Sequence, residues 1–175
     1  MQFKLALVSA LFAASAIAVP VASSQASCSQ SVVAALNGAT KEVSDLNSNL
    51  SGTTNAASLA AAIISGFADN MATLLSGIVL PCDYTLSSQD QQDICDAATT
   101  FIDTDKALVS TVSNKANILS ASLLSVSVHA AINNLEVATT NYLRPIINNM
   151  SICGGSIQSE LTVLESKINS AVAAF

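Results

Sequence analysis

The chain has 175 residues, of which 51% are hydrophobic, 4% are aromatic and 10% are charged, and its formal net charge is −6. A nucleic-acid-binding protein needs a basic surface to displace counterions, so this acidic balance argues against that class of function. The high apolar fraction argues equally against a disordered chain, which would have few apolar residues and many charges.

The first residues have the pattern of a secretory signal peptide. Lys4 precedes an apolar run from Leu5 to Val19, and Ala16 and Ala18 supply the small residues of a cleavage site. The run is short for a transmembrane helix, and no later segment is continuously apolar for about 20 residues. The sequence therefore predicts export and no transmembrane segment in the mature chain.

The predicted cleavage divides the chain into three parts. Residues 1–18 are the signal peptide, residues 19–27 a short N-terminal linker, and residues 28–175 a single helical-bundle domain. Removing 18 residues, Lys4 among them, leaves 157 residues and changes the formal net charge from −6 to −7. This length suffices for one domain with its own core.

Two helices are predicted before Pro81, because apolar residues recur there at spacings of three and four. The first stripe consists of Val32, Leu36, Ala39, Val43, Leu46 and Leu50. The second consists of Leu59, Ile63, Phe67, Met71, Leu74 and Ile78. The small polar residues 51–55 separate the two helices, and Pro81 ends the second one.

A third helix is predicted from Ser87 or Ser88, either of which can cap it. Its stripe consists of Ile94, Ala98, Phe101, Asp105, Leu108, Val112, Lys115 and Leu119. A slightly rotated stripe, through Ala97 and Thr104, would place Asp105 and Lys115 on the surface. We favour the rotated stripe, because a polar group inside a bundle must find a partner.

Two further helices follow. The fourth stripe consists of Val128, Ile132, Leu135, Thr139, Tyr142 and Ile146, and Pro145 predicts a kink or a helix end nearby. The fifth consists of Ile157, Leu161, Leu164, Ile168, Ala171 and Phe175. Strand-like alternation is nowhere sustained. The sequence thus predicts an all-α fold, an up-and-down bundle of four to five amphipathic helices joined by short linkers.

The four cysteines are Cys28, Cys82, Cys95 and Cys153. In an up-and-down order all four lie at one end of the bundle, which predicts that disulfides staple this end. Of the three possible pairings we favour Cys82–Cys95 with Cys28–Cys153. A zinc site is disfavoured, because the paired Cys-x2-Cys spacing is absent and export exposes the chain to an oxidising compartment.

Asn49 and Asn149 each begin an Asn-x-Ser sequon, and both are candidate N-glycosylation sites near helix ends.

The other polar residues predict neither catalysis nor metal binding. His129 is the only histidine, and no nucleophile motif surrounds it. Asp90, Asp93 and Asp96 lack the ligand spacing of an EF-hand, and acidic residues at a helix start already interact favourably with the helix dipole. We therefore predict no catalytic residue, no metal, no cofactor and no enzymatic activity.

Large apolar residues occupy similar stripe positions on the second, third and fifth helices. These candidate ligand-binding residues are Phe67, Met71, Leu74, Phe101, Leu108, Leu161 and Leu164. Their neighbours are mostly alanines, which are too small to fill a bundle centre at native density. A dry void of this kind accepts an apolar guest, so we expect a fatty-acid site here, with simple core packing as the alternative.

Several stretches resemble a known family. They are Ala60–Ile64, Leu86–Asp90, Phe101–Asp103, Ala107–Val112 and Ala171–Phe175. Together with the export signal they resemble the fungal hydrophobic surface-binding protein A family, also called cell wall galactomannoproteins, over nearly the whole mature chain. The resemblance implies a secreted helical bundle that adsorbs to hydrophobic surfaces and, in some members, binds fatty acids. Four cysteines depart from that family's cysteine-poor pattern.

The expected function is that of a secreted, non-catalytic protein, extracellular or in the cell wall. Its expected partners are a fatty acid or other apolar ligand, hydrophobic surfaces and cell-wall polysaccharide. The alternatives are a helical inhibitor of a wall hydrolase and a purely structural mannoprotein. The plant invertase and pectin methylesterase inhibitors pair cysteines within an N-terminal hairpin, and Cys28 has no such close partner.

Overall fold

A computed structural model describes residues 28–76, 86–120 and 124–174. Helices account for 89% of these residues and none of them is in a strand, which confirms the all-α prediction. The helices are α1 (Cys28–Gly52), α2 (Ala56–Ser76), α3 (Ser88–Asn114), α4 (Ala116–Ser120), α5 (Ser125–Ile147) and α6 (Gly154–Val172). The predicted signal peptide and linker lie outside the described residues, as do Ile78, Cys82 and Phe175.

The five long helices pack as a closed ring in the order α1, α2, α5, α6, α3. Helices α1 and α3 run parallel. Hydrogen bonds show this orientation: the Ser29 hydroxyl donates to Asp90 near the helix starts, and the Lys115 ammonium donates to the Ser51 carbonyl near their ends. Helix α2 runs antiparallel to α1, with Asn70 bonding the Ala39 carbonyl. The ring order therefore differs from the chain order, since α3 lies between α1 and α6.

The interior of the ring is the hydrophobic core. The largest fully buried side chains are those of Phe67 on α2 and Phe101 on α3, and the apolar stripes of all five long helices surround them. Each large aliphatic side chain buried there contributes roughly 1.5–3 kcal/mol. Burial of these stripes explains why helices with so few charges associate.

The described residues form six helices rather than four or five, because the third predicted stripe is divided. Helix α3 ends at Asn114, and the Lys115 ammonium donates to the carbonyl oxygens of Ser51 and Thr53 at the end of α1. The short α4 then contacts both α3 and α2, with Ala116 and Leu119 buried. It therefore covers one end of the ring.

The rotated stripe that we favoured for α3 is wrong. Asp105 is fully buried, in line with Phe101, Leu108 and Val112, whereas Thr104 is only half-buried. The burial of the large apolar residues on this face determines how α3 is rotated, and the carboxyl group is carried into the core with them. Ser87, rather than Ser88, caps the helix, in a capping box with Asp90.

The favoured cysteine pairing is also wrong. Cys95 is bonded to Cys153, with a Cα–Cα distance of 6.1 Å. The reason is the ring order: α3 is the neighbour of α6, so Cys95 on α3 faces the residue that precedes α6. Cys28 is disulfide-bonded as well.

Candidate functional site

Most of the residues predicted to line a ligand site lie together in the ring interior. Six of them are buried in one continuous core: Phe67, Leu74, Phe101, Leu108, Leu161 and Leu164. The seventh, Met71, is half-buried on α2.

A small apolar void lies beside these residues. Its walls are Phe67, Val109, Val112, Ile132 and Ala171, which come from α2, α3, α5 and α6. Its empty volume is about 150 Å³, with no room for a water molecule. Pockets that hold drug-sized ligands measure roughly 300–1,000 Å³. An acyl chain could enter the void only if the helices moved apart.

The core also contains two polar side chains, Asp105 on α3 and Thr139 on α5. Both are buried, and neither the carboxylate oxygens nor the hydroxyl has a hydrogen-bond partner. Burial raises the pKa of Asp105 to about 8, because the charged form would lose its hydration, and the weaker influence of Thr139 opposes this rise. Asp105 is therefore a neutral acid at pH 7.

An open polar groove runs between α1 and α2, with a volume of about 550 Å³. Glu42 and Asp45 of α1 and Asp69 of α2 give it an acidic lining, and the Thr73 hydroxyl donates to Glu42 Oε1 at 2.7 Å. Asn49 also lines this groove. On this side α2 presents Ser65, Asp69 and Thr73 among alanine and glycine residues.

The side of α2 that faces away from this groove has a second apolar stripe. It consists of Ala57, Ala61, Ile64, Ala68, Met71 and Leu75, at spacings of four and three. None of these six residues is fully buried, and 62% of Leu75 is exposed. Among the described helices, α2 is the one long and apolar enough to cross a membrane by length and composition, yet only a third of it is buried.

Helix α5, the ring neighbour of α2, also has exposed apolar residues. Val126 is 77% exposed and Val137 is 57% exposed, and their separation of three helical turns places them on one side of α5. We name the second stripe of α2 together with Val126, Ala130 and Val137 the α2–α5 face. Periodicity predicted one buried stripe for each helix, and it did not predict this surface.

The α2–α5 face is almost free of charge. On α2 the one charged residue is Asp69, which lines the groove on the opposite side. On α5 the charged residues are Glu136 and Arg144, and the Arg144 guanidinium turns to Glu165 of α6 at 3.3 Å. Exposed carboxylates lie elsewhere on the ring, for example those of Asp96 and Asp103 on α3.

The two sequons are placed differently. Asn49 is exposed in the last turn of α1. Asn149 is exposed between α5 and α6, and its side-chain amide donates to the Pro145 carbonyl at 2.8 Å. An Asn149 glycan would be attached to the nitrogen that makes this bond.

His129 is half-buried and contacts Asn133 on its own helix. Within the described residues, no three His, Cys, Asp or Glu side chains are grouped so that they could hold a metal ion. Comparisons with protein-family models, curated proteins and solved structures find no match to this chain.

Proposed function

We propose that this protein is a secreted, non-catalytic protein that adsorbs to hydrophobic surfaces through the α2–α5 face. The observation that carries the proposal is the second apolar stripe of α2, which the ring leaves exposed. Burying a large aliphatic side chain contributes roughly 1.5–3 kcal/mol, so contact with an apolar surface gains free energy at Ile64, Leu75, Val126 and Val137. The resemblance to the hydrophobic surface-binding family points in the same direction.

The preferred partner is an uncharged apolar surface rather than an anionic membrane. The chain has a formal net charge of −6, and anionic lipids attract proteins through clusters of Lys and Arg. The one basic residue beside the face, Arg144, is paired with Glu165. We therefore expect adsorption to alkyl-coated surfaces and none to anionic vesicles.

The same proposal has three further parts: location outside the cell or in its wall, contact with wall polysaccharide, and stapling of one end of an up-and-down bundle by both disulfides. They rest on the predicted signal peptide, the cysteine positions and the family resemblance.

A matched pair of variants tests the proposal. Val137→Asp places a charge on the α2–α5 face, and Val163→Asp places the same charge on α6, where Val163 is 47% exposed. Because an ion loses hydration at an apolar surface, we expect Val137→Asp to weaken adsorption to an alkyl-coated quartz crystal microbalance at least about tenfold, or about 1.4 kcal/mol. Val163→Asp should bind like the wild type.

Three outcomes would contradict the proposal. If the wild-type protein does not adsorb, the proposed function is wrong. If the two variants have equal effects, adsorption does not use the α2–α5 face. The third is a dimer, seen by light scattering, that Val137→Asp dissociates, since the face would then bind a second copy.

Uptake of a fatty acid into the ring interior, with the helices moving apart around the apolar void, is a second proposal. Delipidated protein should then take up a long-chain fatty acid saturably, and Phe101→Ala and Leu108→Asn should weaken this uptake. Unchanged uptake by the folded variants would place the site elsewhere.

A further inference from the structure

Asp105 lies inside the ring rather than between two neighbouring helices. It is on α3, and the polar side chain that influences it most, Thr139, is on α5. Helices α3 and α5 are both neighbours of α6 and lie on opposite sides of it, so an interaction between them passes through the interior. The nearby void, which is lined by Val109 one turn further along α3, does not admit water.

None of the described basic side chains neutralises Asp105. Lys106, the next residue, points to Asp103 and to Glu160 of α6. On α5, Arg144 pairs with Glu165 of α6. The other described basic residues also bond elsewhere: Lys41 to Asp45 on α1, Lys115 to two carbonyls of residues 51–53, and Lys167 to Ser110.

The acidic groups of the surrounding helices cannot supply the positive charge that an ionised Asp105 would need. Helix α1 contributes Glu42 and Asp45, α2 contributes Asp69, and α5 contributes Glu136. Burial raises the pKa of Glu136, and the charge of Glu165 adds to this rise. The described residues therefore offer an ionised Asp105 no cation, and the Thr139 hydroxyl is the polar group that opposes the rise of its pKa.

We propose that Asp105 is a proton-operated latch: as a neutral acid it allows the five helices to close around the core, and its ionisation opens the ring to water. The latch does not depend on the adsorption proposed above. It is a property of a carboxyl group in a closed interior, where an unpaired charge is costly.

The direction of the pH effect follows from the two protonation equilibria. An unfolded Asp ionises near pH 3.9, whereas Asp105 in the closed ring ionises near pH 8. Between these values the folded chain binds one more proton than the unfolded chain, so stability falls as the pH rises. Asp105 alone should raise the unfolding constant about tenfold per pH unit across this window. Its contribution levels off above about pH 8.

The experiment compares the wild-type secreted protein with Asp105→Asn, which cannot ionise. Asp96→Asn, an exposed position on the same helix, is the matched control. We expect urea unfolding to show the tenfold-per-unit dependence between pH 5 and 7 in the wild type and in Asp96→Asn. Asp105→Asn should lack this component. After correction for the intrinsic, base-catalysed exchange rate, amide exchange in α3 and α5 should accelerate between pH 5 and 8 only where Asp105 is present.

Equal pH dependence of the wild type and Asp105→Asn would overturn the proposal. If Asp105→Asn does not fold, carbon NMR of the carboxyl groups in the labelled wild-type protein decides the question alone. A resonance of Asp105 that titrates above pH 7 supports the latch, and one that titrates near pH 4 overturns it.

Discussion

Gly154, the first residue of α6, lies against the backbone of the preceding helix. A Cβ atom at this position would be 2.6 Å from the carbonyl oxygen of Ile147, near the end of α5. A main-chain atom cannot move aside as the end of a flexible side chain can. The adjacent Gly155 has open space around the same position.

This difference makes the two glycines a matched pair. We expect Gly154→Ala to lower the free energy of unfolding by about 1–3 kcal/mol, because the methyl group forces α5 and α6 apart. Gly155→Ala should be neutral or stabilising, by up to about 1 kcal/mol, because alanine favours the helix. Urea unfolding measures both, and equal effects of the two variants would contradict the close contact.

The Asp90 carboxyl group makes the stability of the protein sensitive to acid. Hydrogen bonds from the hydroxyl groups of Ser29 and Ser87 lower the pKa of Asp90. The stability that they supply is present above the unfolded Asp pKa, near 3.9, and is lost as the pH falls through the lower folded pKa. Because Asp105 acts in the opposite direction above pH 4, we expect greatest stability near pH 4–5.

Unfolding midpoints between pH 2 and 9 test this optimum. Ser29→Ala should reduce the loss of stability below pH 4, whereas Ser31→Ala, on the same helix, should leave it unchanged. A stability maximum at pH 7 or above would contradict both assignments.

Among the elements, α3 begins with a complete capping box. The Ser87 hydroxyl accepts a hydrogen bond from the Asp90 amide, and the Asp90 carboxylate accepts one from the Ser87 amide. Replacing such a cap by alanine costs about 0.5–2 kcal/mol. We therefore expect Ser87→Ala to destabilise the protein by about 1 kcal/mol and Ser88→Ala to have little effect. If thermal unfolding ranked the two variants in the reverse order, the cap would be misassigned.

Helical periodicity was enough to predict which residues of most helices are buried. It failed in two ways, each with a physical cause. Helix α2 has two apolar stripes, so its sequence does not show which one faces water. On α3 an acidic residue occupies a core position, and only the packed structure shows that the large residues around it determine how the helix is rotated.

At the scale of the whole molecule, the order of the helices around the ring is what the sequence does not reveal. Short linkers favour sequential neighbours, yet α3 packs between α1 and α6, and the 11 residues between α2 and α3 allow this arrangement. Six of the seven candidate lining residues lie in one core, as predicted, whereas Met71 lies on the second stripe of α2. Whether they enclose a cavity depends on how closely five helices approach, which small changes in side-chain volume decide.

The Cys95–Cys153 disulfide is expected to stabilise the folded protein. It joins two parallel ring neighbours, α3 and the start of α6, across a sequence separation of 58 residues. Closing a loop of this size contributes about 4 kcal/mol in the chain-entropy model. The double variant Cys95→Ala/Cys153→Ala should therefore lose about this much stability, measured by urea unfolding. Its helical circular dichroism and its adsorption should persist, because the α2–α5 face lies on other helices. A folded double variant that no longer adsorbs would show that the face requires this disulfide.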